Sequence, residues 1–240
     1  MSTHPTAAAG FGSSAGAYER GRPSYPDAAV AFLAAELGLG PAARVVDLAA
    51  GTGKLTRLLA EGGAEVVAVE PVAAMRAALR RAVPGIAVLE GTAESMPLGD
   101  ASVDAVTVAQ AFHWFDADAA LVEIHRVLRR GGGLGLIWNV MEADAEWLAA
   151  LCELVHGIRG SVPAYGASPW REAFRATPLF TALRERTFGF VHELGEDGLV
   201  DRIVSTSYVA ASPEPERAGL VADVRALVRD VPRPLRVPYR

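Results

Sequence analysis

The sequence predicts an α/β protein of the doubly wound, Rossmann-like kind, a mostly parallel sheet with helices on both faces. Three observations carry that reading. Short β-branched and apolar runs alternate with amphipathic stretches of about ten residues, as expected of strands buried on both faces and joined by crossover helices. Glycines punctuate the joins, as at Gly51 and Gly53 after the run RVVDLA. The 240 residues are 51% hydrophobic, enough for one sizeable core.

Residues 1–25 read as an amino-terminal arm, up to about Tyr18 either mobile or ordered only by a ligand, because Ala, Gly and Ser dominate and large apolar side chains are scarce. Residues 26–240 read as one domain. Pro26 and Asp27 suit a helix start, Val30, Leu33 and Leu37 recur on one face, and Gly38 suits its end. Arg44 to Ala49 is a buried strand, and Leu55, Leu58 and Leu59 mark a helix stopped by Gly62 and Gly63. Glu65 to Val69 is the second strand, Val72 to Ala82 a helix closed by Pro84, Ile86 to Leu89 the third strand and Val103 to Ala109 the fourth. Asp116 can cap a helix that buries Leu121, Ile124 and Leu128. Its end is expected at Arg129, Arg130 and Gly131, where cations suit the carboxyl-terminal dipole. Leu134 to Trp138 is the fifth strand.

Beyond Asn139 the alternation weakens. Glu142 to Ile158 reads as a helix, Leu183 to Leu194 as an extended strand, Gly198 to Ala210 and Pro215 to Val228 as helices, and the final LRVPYR as a strand, with one strand of this region reversed. Gly160 to Pro178 reads as an irregular insert of the kind that varies with substrate.

Charge and composition exclude several classes. A net charge of −5 disfavours a protein that grips a phosphate backbone, so no nucleic-acid partner is expected. Cys152 stands alone, which excludes an internal disulfide and a cysteine zinc site and fits a reducing compartment, the cytoplasm by default. The amino terminus has neither a signal-peptide pattern nor a ~20-residue apolar run, so no membrane partner is expected. His125 and His156 fall in helical runs, and no zinc spacing occurs, so no metal is expected.

Open α/β sheets bind ligands at the carboxyl ends of their strands, where strand order reverses. The turn there is Ala49-Ala50-Gly51-Thr52-Gly53. A dinucleotide fingerprint would place a third glycine where Thr56 stands. A phosphate-binding P-loop would need glycine at Leu48 and Ser or Thr at Leu55. The run DLAAGTG instead resembles the first motif of class I S-adenosylmethionine-dependent methyltransferases, in which an acid, here Asp47, ends strand one. It departs from that motif at Ala49, where the family has glycine, a change the turn accommodates if the backbone keeps negative φ.

The resemblance extends from about Tyr18 to Asn139, and YERGRPSYP and AQAFHWF make it similar to the type 11 branch that includes relatives of trans-aconitate methyltransferase. It implies S-adenosylmethionine as cofactor, lined by Asp47, Ala49, Gly51, Thr52 and Gly53. Glu70 would accept from both ribose hydroxyls, which suits the two oxygens of a carboxylate. Pro71 and Met75 would flank the adenine, although a Met at that position also serves a core. Thr92, Ala93 and Glu94 stand where the family's acid-Ala-Glu signature reads the adenine edge, with Thr92 replacing the commoner Asp. Gln110, Phe112, His113 and Trp114 would face the methyl group. His113 is then a general base, a guide for a carboxylate or a wall residue, and Trp114 a cation–π partner for the sulfonium or core.

Tyr18, Arg22 and Tyr25 would close the pocket. Arg22 would pair with the methionine carboxylate, unless it is simply solvated. Arg202, Ser205 and Tyr208, spaced by three on one helical face, belong to the region 141–230 that would shape the acceptor pocket, or else to a packed face. The implied reaction is methylation of O, N or C on a small-molecule acceptor. No N-P-P-Y, D-P-P-Y or Pro-Cys motif of the nucleic-acid methylases occurs. A nicotinamide oxidoreductase and a non-catalytic S-adenosylmethionine-binding protein are the alternatives.

Overall fold

The run Arg44–Leu48 forms β1, and it lies at the centre of a five-stranded parallel sheet of order β3-β2-β1-β4-β5, with β2 Glu65–Val69, β3 Ala87–Leu89, β4 Val103–Ala109 and β5 Leu128–Ile137. The computed structural model describes residues 16–159 and 170–240, so the start of the expected arm and residues 160–169 of the expected insert lie outside the described residues. In chain order the helices are α1 (16–21), α2 (Asp27–Leu37), α3 (Lys54–Glu61), α4 (Ala73–Ala82), α5 (Ala117–Val127), α6 (Glu146–Arg159), α7 (Trp170–Ala176), α8 (Glu196–Val204), α9 (Ser207–Ala210) and α10 (Glu214–Leu227). The chain divides into two units. The first holds the described residues of Ser24–Trp138 and Pro163–Thr187, and the second those of His4–Pro23, Asn139–Val162 and Phe188–Arg240.

In the first unit the strand period of two sorts β1 onto two cores. Val45 packs with Leu33 of α2, Leu55 and Leu59 of α3 and Val66 of β2, while Val46 and Leu48 pack with Val106, Val108, Leu121 and Ile124. α2 begins after Pro26 and ends at Gly38, whose φ of 64° is the left-handed conformation that glycine adopts freely. The glycines of β5 let α2 approach the sheet: a Cβ on Gly135 would overlap Leu33 Cδ1 and lie 2.8 Å from Leu37 Cδ1.

Several boundaries differ from the sequence reading, among them α6, which starts at Glu146 rather than Glu142, and α7, which is a helix within the expected irregular insert. α5 is capped by Asp116, which accepts from the Ala119 N–H, but it ends at Val127 rather than at Arg129 to Gly131. Leu128 already pairs with Val103, and the register then jumps so that Gly133 pairs with Ala105, leaving a bulge that Gly131 turns at φ 83°. Arg129 leaves the dipole to His125 and Arg126 and instead bonds Asp104 at 2.7 Å.

In the second unit, β6 (Phe190–Leu194) and β7 (Leu235–Tyr239) pair antiparallel. The reversed pair forms a two-stranded sheet of its own rather than an extension of the five-stranded one. Residues 181–189 are not strand, because β7 offers only five partners and the segment is largely exposed. The expected helix over 198–210 is two helices, α8 and α9. Ser205 Oγ donates back to the Arg202 carbonyl and Thr206 is extended, a local side-chain bond of the kind that competes with a helix. This unit has its own core, built from Leu148, Leu151, Leu199, Ile203, Leu220, Val224, Leu235 and Tyr239.

Candidate active site

The chain runs from β1 outward to β2 and β3, then crosses back to place β4 on the other side of β1, so strand order reverses between β1 and β4. Both strands leave this edge through left-handed residues: Ala49 (φ 55°), Gly51 (59°) and Gly53 (90°) after β1, and Gln110 (59°) after β4. Alanine at position 49 therefore does not keep negative φ. Its Cβ takes the steric cost that a glycine avoids, roughly 1–2 kcal/mol. Among the described residues only three non-glycine residues have positive φ, and two of them, Ala49 and Gln110, flank this reversal point. The third, Ala101, is in the turn before β4.

The two glycines of the turn do different work. A Cβ on Gly53 would press on Leu79 Cγ at 3.0 Å and Val83 Cγ2 at 3.2 Å, so this glycine lets the turn pack on α4. A Cβ on Gly51 would meet nothing within 4 Å, which leaves the backbone open to a ligand on that side.

Asp47, the last residue but one of β1, and Glu70, the residue just after β2, both have buried carboxylates. Asp47 accepts from Thr56 Oγ1 at 2.6 Å and lies 3.4 Å from Thr107 Oγ1. Burial pushes its pKa up to about 7, against the pull of those hydroxyls. Thr56, the residue that breaks the dinucleotide pattern, thus holds the acid of strand one. Glu70 Oε2 accepts from the Gly51 N–H at 2.9 Å and Oε1 from the Val72 N–H at 2.8 Å. Burial raises its pKa, while the two backbone donors and Arg76 favour the ionised form.

Arg76, which the sequence reading did not single out, is buried on α4. It donates to the carbonyls of Glu70 (2.9 Å) and Pro71 (2.7 Å) and to Glu90 Oε2 (2.6 Å), tying the ends of β2 and β3 together. Its only sequence signal is an arginine one turn into the helix that follows the acid. Met75 beside it is buried and Pro71 half-buried.

After β3, Thr92 and Ser95 form a β-bridge, and the Thr92 hydroxyl is shielded from solvent without a hydrogen-bond partner. An unpaired buried hydroxyl costs about 1–3 kcal/mol, so it marks a place where a ligand gains by bonding. Ala93 is buried, and Glu94 accepts from the Asp116 N–H at 3.2 Å, joining this loop to the cap of α5.

After β4, Phe112–Trp114 makes a single 3₁₀ turn. Phe112 is fully buried against Phe115, Trp170 and Phe174, with ring centroids 5.2–6.1 Å apart. His113 and Trp114 are partly buried neighbours, 5.2 Å between rings. Trp138, just past β5, stacks on Trp170 at 4.8 Å and donates its indole N–H to His113 Nδ1 at 3.4 Å. An indole nitrogen can only donate, so Nδ1 is the acceptor and the neutral ring carries its proton on Nε2. Burial holds the His113 pKa down at about 4.

The aromatic and arginine residues before β1 fall in both units. Tyr25, in the first, is buried with Leu33, Val45 and Leu55. In the second, Arg22 lies 5.3 Å from the Tyr18 ring and donates to Ser205 Oγ (3.1 Å), the Ser205 carbonyl (3.2 Å) and Thr206 Oγ1 (3.4 Å). Arg202 and Ser205 thus come together with Arg22 at the end of α8, while Tyr208 stands on α9. Cys152 is on α6 in this unit, and burial raises its thiol pKa. Among the described residues, no three His, Cys, Asp or Glu side chains are placed to share a metal ion, and no helix is long and apolar enough to cross a membrane.

A family model described as a methyltransferase domain matches residues 46–136, the stretch from β1 to β5. An uncharacterised methyltransferase of Mycobacterium tuberculosis is 43% identical over 224 residues, covering 92% of this chain and 86% of the relative. A methyltransferase-like protein of Schizosaccharomyces pombe is 33% identical over 217 residues, covering 90% and 84%. Among solved structures, one provisionally named a type II methyltransferase, from Anaeromyxobacter dehalogenans, is similar with a TM-score of 0.67 and 27% identity, covering 91% of this chain and 94% of its own.

Proposed function

Because the chain belongs to the class I S-adenosylmethionine-dependent methyltransferases, in their type 11 branch, we propose that it moves a methyl group from S-adenosylmethionine to a nucleophilic O, N or C atom of a small molecule. The observation that carries the site is the bond between Glu70 Oε2 and the Gly51 N–H, which joins the acid of β2 to the open glycine of the turn. Each Glu70 oxygen already holds one backbone N–H, which fixes the carboxylate plane and leaves a further lone pair on each oxygen for one hydroxyl of a vicinal diol. The unpaired Thr92 hydroxyl suits the polar edge of an adenine. These residues fit the cofactor, which when bound supplies a methyl group made electrophilic by a positively charged sulfur.

The chain's own part is alignment and exclusion of water, and alignment alone is worth several kcal/mol. The aromatic group of Phe112, Phe115, Trp138 and Trp170 provides the dry wall next to His113. With Nδ1 engaged by Trp138 and the proton on Nε2, His113 offers a donor rather than a base, so we assign it to steering an acceptor oxygen.

Calorimetry with S-adenosylhomocysteine tests the reading. Glu70→Ala is expected to weaken binding by roughly tenfold to a hundredfold, as for a lost charged hydrogen bond, and unchanged affinity overturns the ribose assignment. Tight binding with no S-adenosylhomocysteine released from any acceptor would favour a non-catalytic binding protein. Stabilisation by a nicotinamide nucleotide instead would favour an oxidoreductase.

A further inference from the structure

Among the described residues three charged side chains are buried, Asp47, Glu70 and Arg76, and Arg76 is the single cation of the three. It forms no ion pair with either buried acid. Its Nη1 donates to the carbonyls of Glu70 and Pro71 and its Nη2 to Glu90 Oε2. Glu90 is a poor counter-charge for a buried guanidinium: its side chain is 74% exposed against 10% for Arg76, so water screens it.

Glu70 shows the complementary gap. Both of its oxygens accept backbone N–H groups, from Gly51 and Val72, and no cation bonds them. A carboxylate taken out of water is costly unless a nearby charge offsets it. The other charged groups around it, Asp47 of β1 and Glu90 after β3, are acids, so Arg76 alone favours its ionised form. The two side chains are also tied together through the backbone. Val72, whose N–H holds Glu70 Oε1, caps α4, and its carbonyl accepts from the Arg76 N–H at 3.0 Å.

We propose that Arg76 is a positioning residue for the ribose-binding acid: its buried charge keeps Glu70 ionised, and its two carbonyl bonds fix the backbone at Glu70 and Pro71, so that both carboxylate oxygens stay acceptors for a vicinal diol. The proposal rests on the assignment of Glu70 to the cofactor ribose. A protonated Glu70 turns one oxygen into a donor and forfeits one of the two diol bonds. Cofactor affinity is therefore level while Glu70 is ionised and falls as pH drops through its titration. Without the Arg76 charge that titration moves up, and the fall begins at higher pH.

Calorimetry with S-adenosylhomocysteine from about pH 5 to 8 on the full chain tests this, comparing Arg76→Lys, which keeps the cation, with Arg76→Gln, which keeps a donor for the carbonyls and loses the charge. Arg76→Lys is expected to follow the wild-type profile. Arg76→Gln is expected to begin losing affinity about one pH unit higher, and there to bind about tenfold more weakly than Arg76→Lys. Glu70→Gln shows what Asp47 and Glu90 add to the profile, and adding Arg76→Gln to it should leave that profile unchanged. Profiles of one shape for the two Arg76 variants, even if offset in affinity at every pH, overturn the proposal and leave Arg76 a structural tie. The coupling is also readable without ligand: by denaturant titration at about pH 8, Arg76→Gln should destabilise the wild type more than it destabilises Glu70→Gln. Equal destabilisation overturns the proposal. If Arg76→Gln alone does not fold, the double variant with Glu70→Gln is expected to fold, and its failure to do so overturns the proposal. A wild type that shows the coupling but binds no S-adenosylhomocysteine counts against the methyltransferase reading and leaves the pairing of Arg76 with Glu70 standing.

Discussion

Ala49 shows how a single methyl group registers at the reversal point of the sheet. Its left-handed backbone costs an L-residue about 1–2 kcal/mol, whereas glycine there loses about 0.4–1 kcal/mol more chain entropy on folding. Ala49→Gly is therefore expected to stabilise the protein by about 0.5–1 kcal/mol, a rise in Tm of a few degrees at this size. Thermal unfolding of the two proteins checks it, and an equal or lower midpoint for the variant would show that the alanine is not strained. Asp47 and Glu70 were legible in the sequence because each acid directly ends a β-branched run. Thr107 and Arg76 were not, because what makes them matter is contact across 60 residues in one case and a turn of helix folded back on the strand end in the other.

At the scale of elements, the parts specified locally are the parts the sequence disclosed. α2, α3 and β1 to β4 carry their own period and stop signals. The start of β5 and the extent of β6 depend on which partner residues exist, through the bulge opposite Asp104 and the five-residue length of β7. The docking of α1 on α8 was likewise invisible, and there a glycine decides. In Gly21→Ala the added carbon meets backbone, which cannot rotate away. The variant is expected to lose about 1–3 kcal/mol by denaturant titration. Gly135→Ala is expected to cost less, since the carbon there meets the ends of two leucine side chains. Equal stability of Gly21→Ala and the wild type would mean that the segment is not bound to α8 as described.

For the whole molecule, the pH dependence of stability combines two opposed titrations. Asp47, raised from about 3.9 when unfolded to about 7 when folded, keeps its proton better in the folded state, so its contribution is most favourable below pH 4 and is lost as pH rises to 7. His113, lowered from about 6.5 to about 4, holds its proton worse when folded, so it destabilises in acid and that penalty fades as pH rises from 4 to 6.5. Each shift corresponds to roughly 3–4 kcal/mol at most, so between pH 4 and 6.5 they largely cancel. Denaturation across pH 4 to 8 should show Asp47→Asn gaining stability relative to wild type as pH rises, and His113→Asn losing it. Two variants that track the wild type at every pH would dismiss both shifts.

The ion pair of Arg20 with Asp201 spans 181 positions of the chain. At synthesis rates of about 5–20 residues per second, the first partner is made about 9 to 36 seconds before the second. During that interval β1 to β5 can emerge and close into a sheet in order, each strand finding a neighbour already made. The segment with Arg20, Gly21 and Arg22 has no such neighbour and waits for α8. The contact of Arg20, Gly21 and Arg22 with α8 is therefore assembled late in the life of the nascent chain, after the strands of the five-stranded sheet have been made.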